Sequence, residues 1–172
     1  MNNSLERLKN DPRIKEFVSQ VCEDNLVCVE FDDQVSNEEF FVIKVDDYYN
    51  SLHLGKNTPA SVDCLIIQEC GDGQIKVYIV ELKNVKSPSH INGKNLEQKF
   101  ETTLFDFISN RFKEYLDTVE FKVYLLLCAG NVDNENIRAF SLDFLLGLRM
   151  FKFRGKLAAI NGRPPNPLIK PC

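Results

Sequence analysis

Two apolar runs, Val62–Gln68 and Ile75–Leu82, flank the triplet Gly71-Asp72-Gly73 and predict a β-hairpin. Gly73 after Asp72 suits a three-residue loop in which the glycine takes φ > 0 as a bulge. That loop makes paired residue numbers sum to 144 and sets Asp63 directly opposite Glu81. Directly opposed residues share one sheet face with Cβ atoms roughly 5 Å apart. Lys83, two residues beyond Glu81, projects from the same face. A two-residue turn would shift the register by one and send the two carboxylates to opposite faces. Each face is apolar for most of its length, Leu65, Ile67, Val77 and Ile79 on one side and Ile66, Tyr78, Val80 and Leu82 on the other. Strands of that kind belong in the middle of a sheet covered on both sides.

The rest of the chain alternates helical and extended patterns. Residues 4–22 read as a helix interrupted or restarted at Pro12, with Ile14, Phe17, Val18 and Val21 as its stripe. Leu26–Phe31 and Glu39–Val45 read as strands that could pair as a first hairpin, and Asp46–Ser61 as a loop long enough to cross the sheet or border a cleft. Beyond an irregular stretch at Asn84–Lys94, Asn95–Leu116 carries a continuous helical stripe of Leu96, Phe100, Leu104, Phe107, Ile108, Phe112 and Tyr115. Phe121–Ala129 is then a buried strand, parallel to its neighbour because a helix crosses between them. Residues 141–160 fit either a helix ending at Gly147 or Gly155 or a strand at Met150–Arg154, and the four prolines after residue 162 make the end irregular.

A chain of 172 residues, 44% apolar and 27% charged, reads as one globular domain over 1–172. No apolar run reaches the roughly 18 residues of a membrane span, and the polar N-terminal stretch does not resemble a signal peptide. The six cysteines (22, 28, 64, 70, 128 and 172) form no C-x-x-C pair and read as reduced, buried thiols of a cytoplasmic protein. The net charge of −4 is unevenly spread. Residues 1–60 carry 12 acids and 6 bases, whereas residues 138–172 carry seven bases against Asp143 alone. Such a tail either contacts phosphates or is simply a solvated face.

Two acids and a lysine at the end of buried strands are costly unless paired or used. An aspartate followed, ten to twenty residues on, by Glu-x-Lys at a strand end resembles the PD-(D/E)XK nuclease superfamily. Here the matching residues are Asp63, Glu81 and Lys83; Val62 stands where a proline often precedes the aspartate. The resemblance implies an α/β, restriction endonuclease-like fold, a mixed β-sheet flanked by helices. It implies a Mg²⁺-dependent nuclease acting on DNA, with Mn²⁺ able to substitute, and a possible homodimer. Asp63 and Glu81 would hold the metal with the backbone carbonyl of Leu82, and Lys83 would stabilise developing charge. Gln98, early in the following helix, would be a further polar site residue. The alternatives are a cross-strand ion pair in a catalytically silent nucleic-acid-binding or assembly module, or an RNA-cleaving relative.

Other residues are weaker candidates. Two more Glu-x-Lys triplets occur, at Glu97–Lys99 and Glu120–Lys122, the first inside a helix and the second opening a strand without a facing aspartate. Glu16 and Glu23 are candidates for an additional site acid, whereas Glu69 lies six residues from Asp63, about 20 Å along the strand. His53, His90, Lys86, Lys94 and Lys99 fall in loops or a helix near the expected cleft, where ordinary surface explains them as well.

Overall fold

A computed structural model describes residues 3–24, 26–85, 90–130 and 147–172. The chain folds as a mixed α/β structure. It begins with α1 (Asn3–Lys9), a 3₁₀ turn at Lys15–Phe17, and strands β1 (Val18–Ser19), β2 (Cys22–Asp24), β3 (Val27–Phe31) and β4 (Phe40–Lys44). Helix α2 (Val45–Ser51) and the hairpin β5 (Cys64–Glu69) and β6 (Ile75–Asn84) follow. Next come α3 (Gly93–Glu101), a π-helical segment Thr102–Arg111, α4 (Lys113–Leu116) and β7 (Phe121–Gly130). The described chain closes with β8 (Phe151–Phe153), β9 (Lys156–Ala158), β10 (Ile160–Arg163) and β11 (Leu168–Ile169).

Six strands form one mixed sheet in the order β1-β4-β5-β6-β7-β10. The first four are joined antiparallel, and β6, β7 and β10 run parallel. The parallel β6–β7 pair follows from the helical crossover between them, as the sequence predicts. The hairpin adopts the expected register: Cys64 faces Val80, and Glu69 faces Ile75. Cys70 and Gln74 close the loop, with Cys70 N–H donating to the Gln74 carbonyl at 2.8 Å, and Gly73 takes φ 79°.

Strand periodicity sorts the sheet into two faces. Leu65, Ile67, Val77, Ile79, Leu125 and Leu127 meet the helical residues Leu5, Tyr49, Phe100, Leu104 and Phe107 in the larger core. Ile66, Val80, Leu82, Leu126 and Cys128 meet Cys22, Val27, Val29 and Ile169 in the smaller one. Those last residues belong to a second sheet of order β11-β3-β2, so β3 and β4 do not pair as a hairpin. They lie in different layers because β3 buries Val27 and Val29 in the smaller core, lying over β6 and β7, while Phe31 stacks on Phe40 at 3.7 Å.

Several element boundaries differ from the pattern reading. The first helix stops at Lys9, and residues 18–22 are extended or irregular, with Val18 paired to Ile43 at the sheet edge. Asp46–Ser61 is not a plain loop, because Val45, Tyr48 and Tyr49 place one buried stripe on α2. The long helix is interrupted at Phe112, whose φ of −123° leaves the helical region. The preceding segment is π-helical, and Phe112 N–H closes it by donating to the Phe107 carbonyl five residues back at 3.1 Å. At Met150–Arg154 the strand alternative is seen, not a helix running to Gly155: β8 and β9 form a hairpin turning at Arg154 (φ 48°) and Gly155 (φ 77°), while a helix ending at Gly147 would fall outside the described residues. Residues 141–146 lie outside the described residues.

The cysteine reading is corrected. Cys22–Cys64 and Cys70–Cys172 are disulfides with Cα separations of 5.9 and 5.4 Å, and only Cys28 and Cys128 are free thiols. Residues 42 and 102 apart in sequence are brought together by sheet packing, which no local spacing reveals. Cysteine usage therefore does not indicate a cytoplasmic location. Among the described residues no helix is long and apolar enough to cross a membrane. Reduction is expected to cost about 2–4 kcal/mol per bridge, since each closes a long loop of the unfolded chain. Urea unfolding with and without reductant measures this.

Candidate functional site

Asp63 ends the loop that leads into β5, and its carbonyl accepts from Val45 N–H at 3.1 Å. One register step beyond the Cys64–Val80 pair sets it opposite Glu81, on the helix-covered face. Its carboxylate reaches across: Oδ2 accepts from Leu82 N–H at 2.6 Å. The Leu82 side chain is 2% exposed and belongs to the smaller core on the other face. An extended residue turns its N–H and C=O to the same side, so the Leu82 carbonyl is on the Asp63 side of the strand.

Glu81 is 0% exposed. Its Oε1 is ion-paired with two ammonium groups, Lys83 Nζ at 2.5 Å and Lys99 Nζ at 2.8 Å, the latter donating a hydrogen bond to it. Its Oε2 is buried with no hydrogen-bond partner. A carboxylate oxygen in that condition carries a desolvation cost that a cation or a donor would relieve. The cluster reaches solvent through Lys83, whose side chain is 30% exposed.

Burial and the neighbouring Glu81 charge push the Asp63 carboxyl up to about 7, against smaller opposing effects from the Leu82 N–H, Lys99 and Lys83. Burial works against the Lys99 ammonium, but attraction and hydrogen bonding from Glu81, with Asp63 and Asp46, hold its pKa above the ordinary lysine value. The site thus pairs a carboxyl poised near neutrality with a firmly charged lysine.

This arrangement fixes a stability effect. A folded pKa above the unfolded one means the native state favours protonated Asp63. Its contribution is fully present below about pH 4 and is lost as pH rises through about 7. Asp63→Asn keeps an acceptor for Leu82 N–H and removes the charge. Its stability advantage over the wild type is expected to be small at pH 4, to grow toward pH 7 and to level off at about 3–4 kcal/mol. Urea midpoints at pH 4 and pH 8 measure it; an advantage independent of pH would contradict the assignment.

Of the residues singled out in the sequence, Asp63, Glu81, Lys83 and the Leu82 backbone come together. Gln98 does not: it is exposed, and Lys99 takes the inward position. The reason is helical phase. Two residues advance about 200° around a helix, so Gln98 points away from the side carrying Leu96 and Phe100, whereas Lys99 flanks it. Asn92 starts this helix by accepting from Asn95 N–H at 3.1 Å, which sets that phase. The apolar stripe at Leu96 and Phe100 was signal enough to prefer Lys99.

Asp46, at the start of α2, was also missed, since its stretch reads as a loop. It accepts from Ser61 Oγ at 3.2 Å and acts electrostatically on Lys99. Glu16 and Glu23 are exposed on other elements, and Glu69 faces Ile75 at the far end of the hairpin. His53, His90 and Lys94 are exposed, and Lys86 lies outside the described residues. Of the basic tail, Arg149 is engaged with Glu101 at 2.6 Å and Arg154 with Asp117 at 2.6 Å, while Arg138 lies outside the described residues.

No protein-family model, curated protein or solved structure matches the chain. Among the described residues, no group of three or more His, Cys, Asp or Glu side chains is arranged to hold a metal. A small hard cation that keeps several waters needs only one or two carboxylates. The mutual repulsion of Asp63 and Glu81 and the unpartnered Glu81 Oε2 suit that donor set.

Proposed function

We propose that this protein is a Mg²⁺-dependent nuclease that hydrolyses DNA phosphodiesters, built on a restriction endonuclease-like sheet of the PD-(D/E)XK type. The observation that carries the reading is the buried, unpartnered Oε2 of Glu81 beside the opposed Asp63 and two lysines. Asp63 and Glu81 would hold the ion, with the Leu82 carbonyl on the same side. Bound there, Mg²⁺ supplies Lewis acidity toward the phosphodiester and a lowered pKa for water.

The chain's own groups have separable tasks. Asp63 must lose its proton to serve as a ligand, so ion affinity rises up to about pH 7 and is flat above it. Lys99, 16% exposed, holds Glu81 in its rotamer. Lys83, partly exposed, can place its ammonium against the charge that builds on the phosphate oxygens. In the displacement a water oxygen bonds to phosphorus while the bond to the departing oxygen breaks. One proton leaves the water and solvent returns one to the departing oxygen.

The competing reading is a silent nucleic-acid-binding or assembly module. It is favoured by one observation, that Lys83 and Lys99 already neutralise Glu81 without any ion. Plasmid nicking in Mg²⁺ or Mn²⁺ by wild type and by Lys83→Ala separates the two. Parallel digestion of single DNA and RNA substrates decides the sugar, which the carboxylates do not read.

A further inference from the structure

We infer that the sheet face opposite Asp63 carries a binding cleft for single-stranded nucleic acid. Tyr78 of β6 and Tyr124 of β7 are register partners in the parallel pair, and their rings stack at 5.1 Å with 21° between planes. They pack against the smaller core, at the edge of the region that β11, β3 and β2 cover. There a cleft of about 470 Å³ is lined by both rings, by Lys76, Arg163 and Lys170, and by a proline-rich wall that includes Pro167. That volume lies within the roughly 300–1,000 Å³ of ligand pockets.

The charge of the lining is one-sided. No carboxylate lines the cleft, and Lys76, Arg163 and Lys170 make no ion pair among the described residues. This distinguishes them from Arg149 and Arg154, which are held by acids. The wall is fixed from three sides. The Cys70–Cys172 bridge anchors the chain end, Leu168 and Ile169 pair with Glu30 and Phe31, and the buried Gln68 donates to the Lys170 carbonyl at 3.3 Å. Gln68 in turn accepts from the Tyr78 hydroxyl at 3.2 Å, which fixes that ring.

Stacked aromatics beside cations that have no ion pair and no acid near them among the described residues fit bases and phosphates together. Aromatic platforms accept any base, and lysine and arginine track the backbone. An acidic peptide would use the cations but leave the tyrosines without a role. The inference does not depend on the hydrolytic reading, since the cleft and the Asp63–Glu81 cluster lie on opposite faces of the sheet.

The test is fluorescence anisotropy of the full chain in EDTA with labelled oligo-dT and oligo-U, and with a labelled poly-glutamate peptide as the competing polyanion. Oligonucleotide affinity is expected to fall with salt with a log–log slope of about −2, as three phosphate contacts on a single strand require. Arg163→Ala should reduce the slope by about 0.7. Tyr124→Ala should weaken binding roughly 5- to 150-fold, while Tyr124→Phe, which keeps the ring, should bind as wild type. A wild-type chain that binds the oligonucleotides here but does not nick plasmid in Mg²⁺ or Mn²⁺ would fail the nuclease reading alone. A preference for oligo-dT or oligo-U identifies the strand; binding to neither overturns the inference. So does equal binding of poly-glutamate, or an affinity indifferent to Tyr124→Ala.

Discussion

Supercoiled plasmid incubated with the wild-type chain and Mg²⁺ is expected to become nicked, and Lys83→Ala to slow that conversion about 10²–10³-fold. The magnitude is that of removing one preorganised charge aimed at a transition-state oxyanion. Lys83 has the geometry for this. Its Nζ lies 2.5 Å from Glu81 Oε1, while 30% exposure of its side chain leaves a path to an incoming phosphate. Asp63→Asn should abolish nicking for a different reason, loss of an anionic ligand, and should raise stability at pH 8 because a buried charge is removed. That combination, less activity with more stability, is hard to obtain from a merely structural ion pair. Rates measured at several Mg²⁺ concentrations separate the two variants. Lys83→Ala should lower the maximal rate, and Asp63→Asn should raise the Mg²⁺ requirement beyond reach. Unchanged nicking by Lys83→Ala would remove Lys83 from the mechanism, and no nicking by wild type in Mg²⁺ or Mn²⁺ would leave the silent-module reading in its place.

The second large effect concerns Lys99. Removing one partner of a buried ion pair typically costs 3–5 kcal/mol, because the charge left behind stays desolvated. Here Lys83 remains on the same carboxylate oxygen, so Lys99→Met is expected to cost about 2–3 kcal/mol at pH 8. Lys99 also helps hold the Asp63 pKa down, so its loss should move that titration above about 7. With one ammonium gone, Glu81 becomes a better acceptor for a cation, and Mg²⁺ affinity above pH 8 should rise about tenfold, one pKa unit's worth of interaction. Urea unfolding and calorimetric Mg²⁺ titration read these separately. A variant as stable as wild type would remove Lys99 from the site, and weaker Mg²⁺ binding would argue that it orders Glu81 more than it competes for it.

Much of the site was legible along the chain because hairpin register is a local property. The Gly71-Asp72-Gly73 loop fixes which residues face each other, and strand alternation then assigns Asp63, Glu81 and Lys83 to one face. Helical phase was equally local, and it pointed to Lys99 although Gln98 carried the expectation from resemblance. The layer assignment of β3 and β4 was not legible: two apolar strands joined by a polar turn can pair edge to edge or stack face to face, and only the surrounding core selects.

The sequence by itself determined the hairpin, its register, the parallel crossover to β7 and the meeting of two carboxylates with a lysine, because each follows from turn chemistry and side-chain period over a few residues. The tertiary structure alone decided the Cys22–Cys64 and Cys70–Cys172 bridges, the docking of α3 that brings Lys99 onto Glu81, the placing of Asp46 near Lys99, and the stacked tyrosines beside cations that make no ion pair among the described residues. Those depend on which elements share a layer, and the free energy that chooses layers is the burial of apolar faces summed over the whole chain.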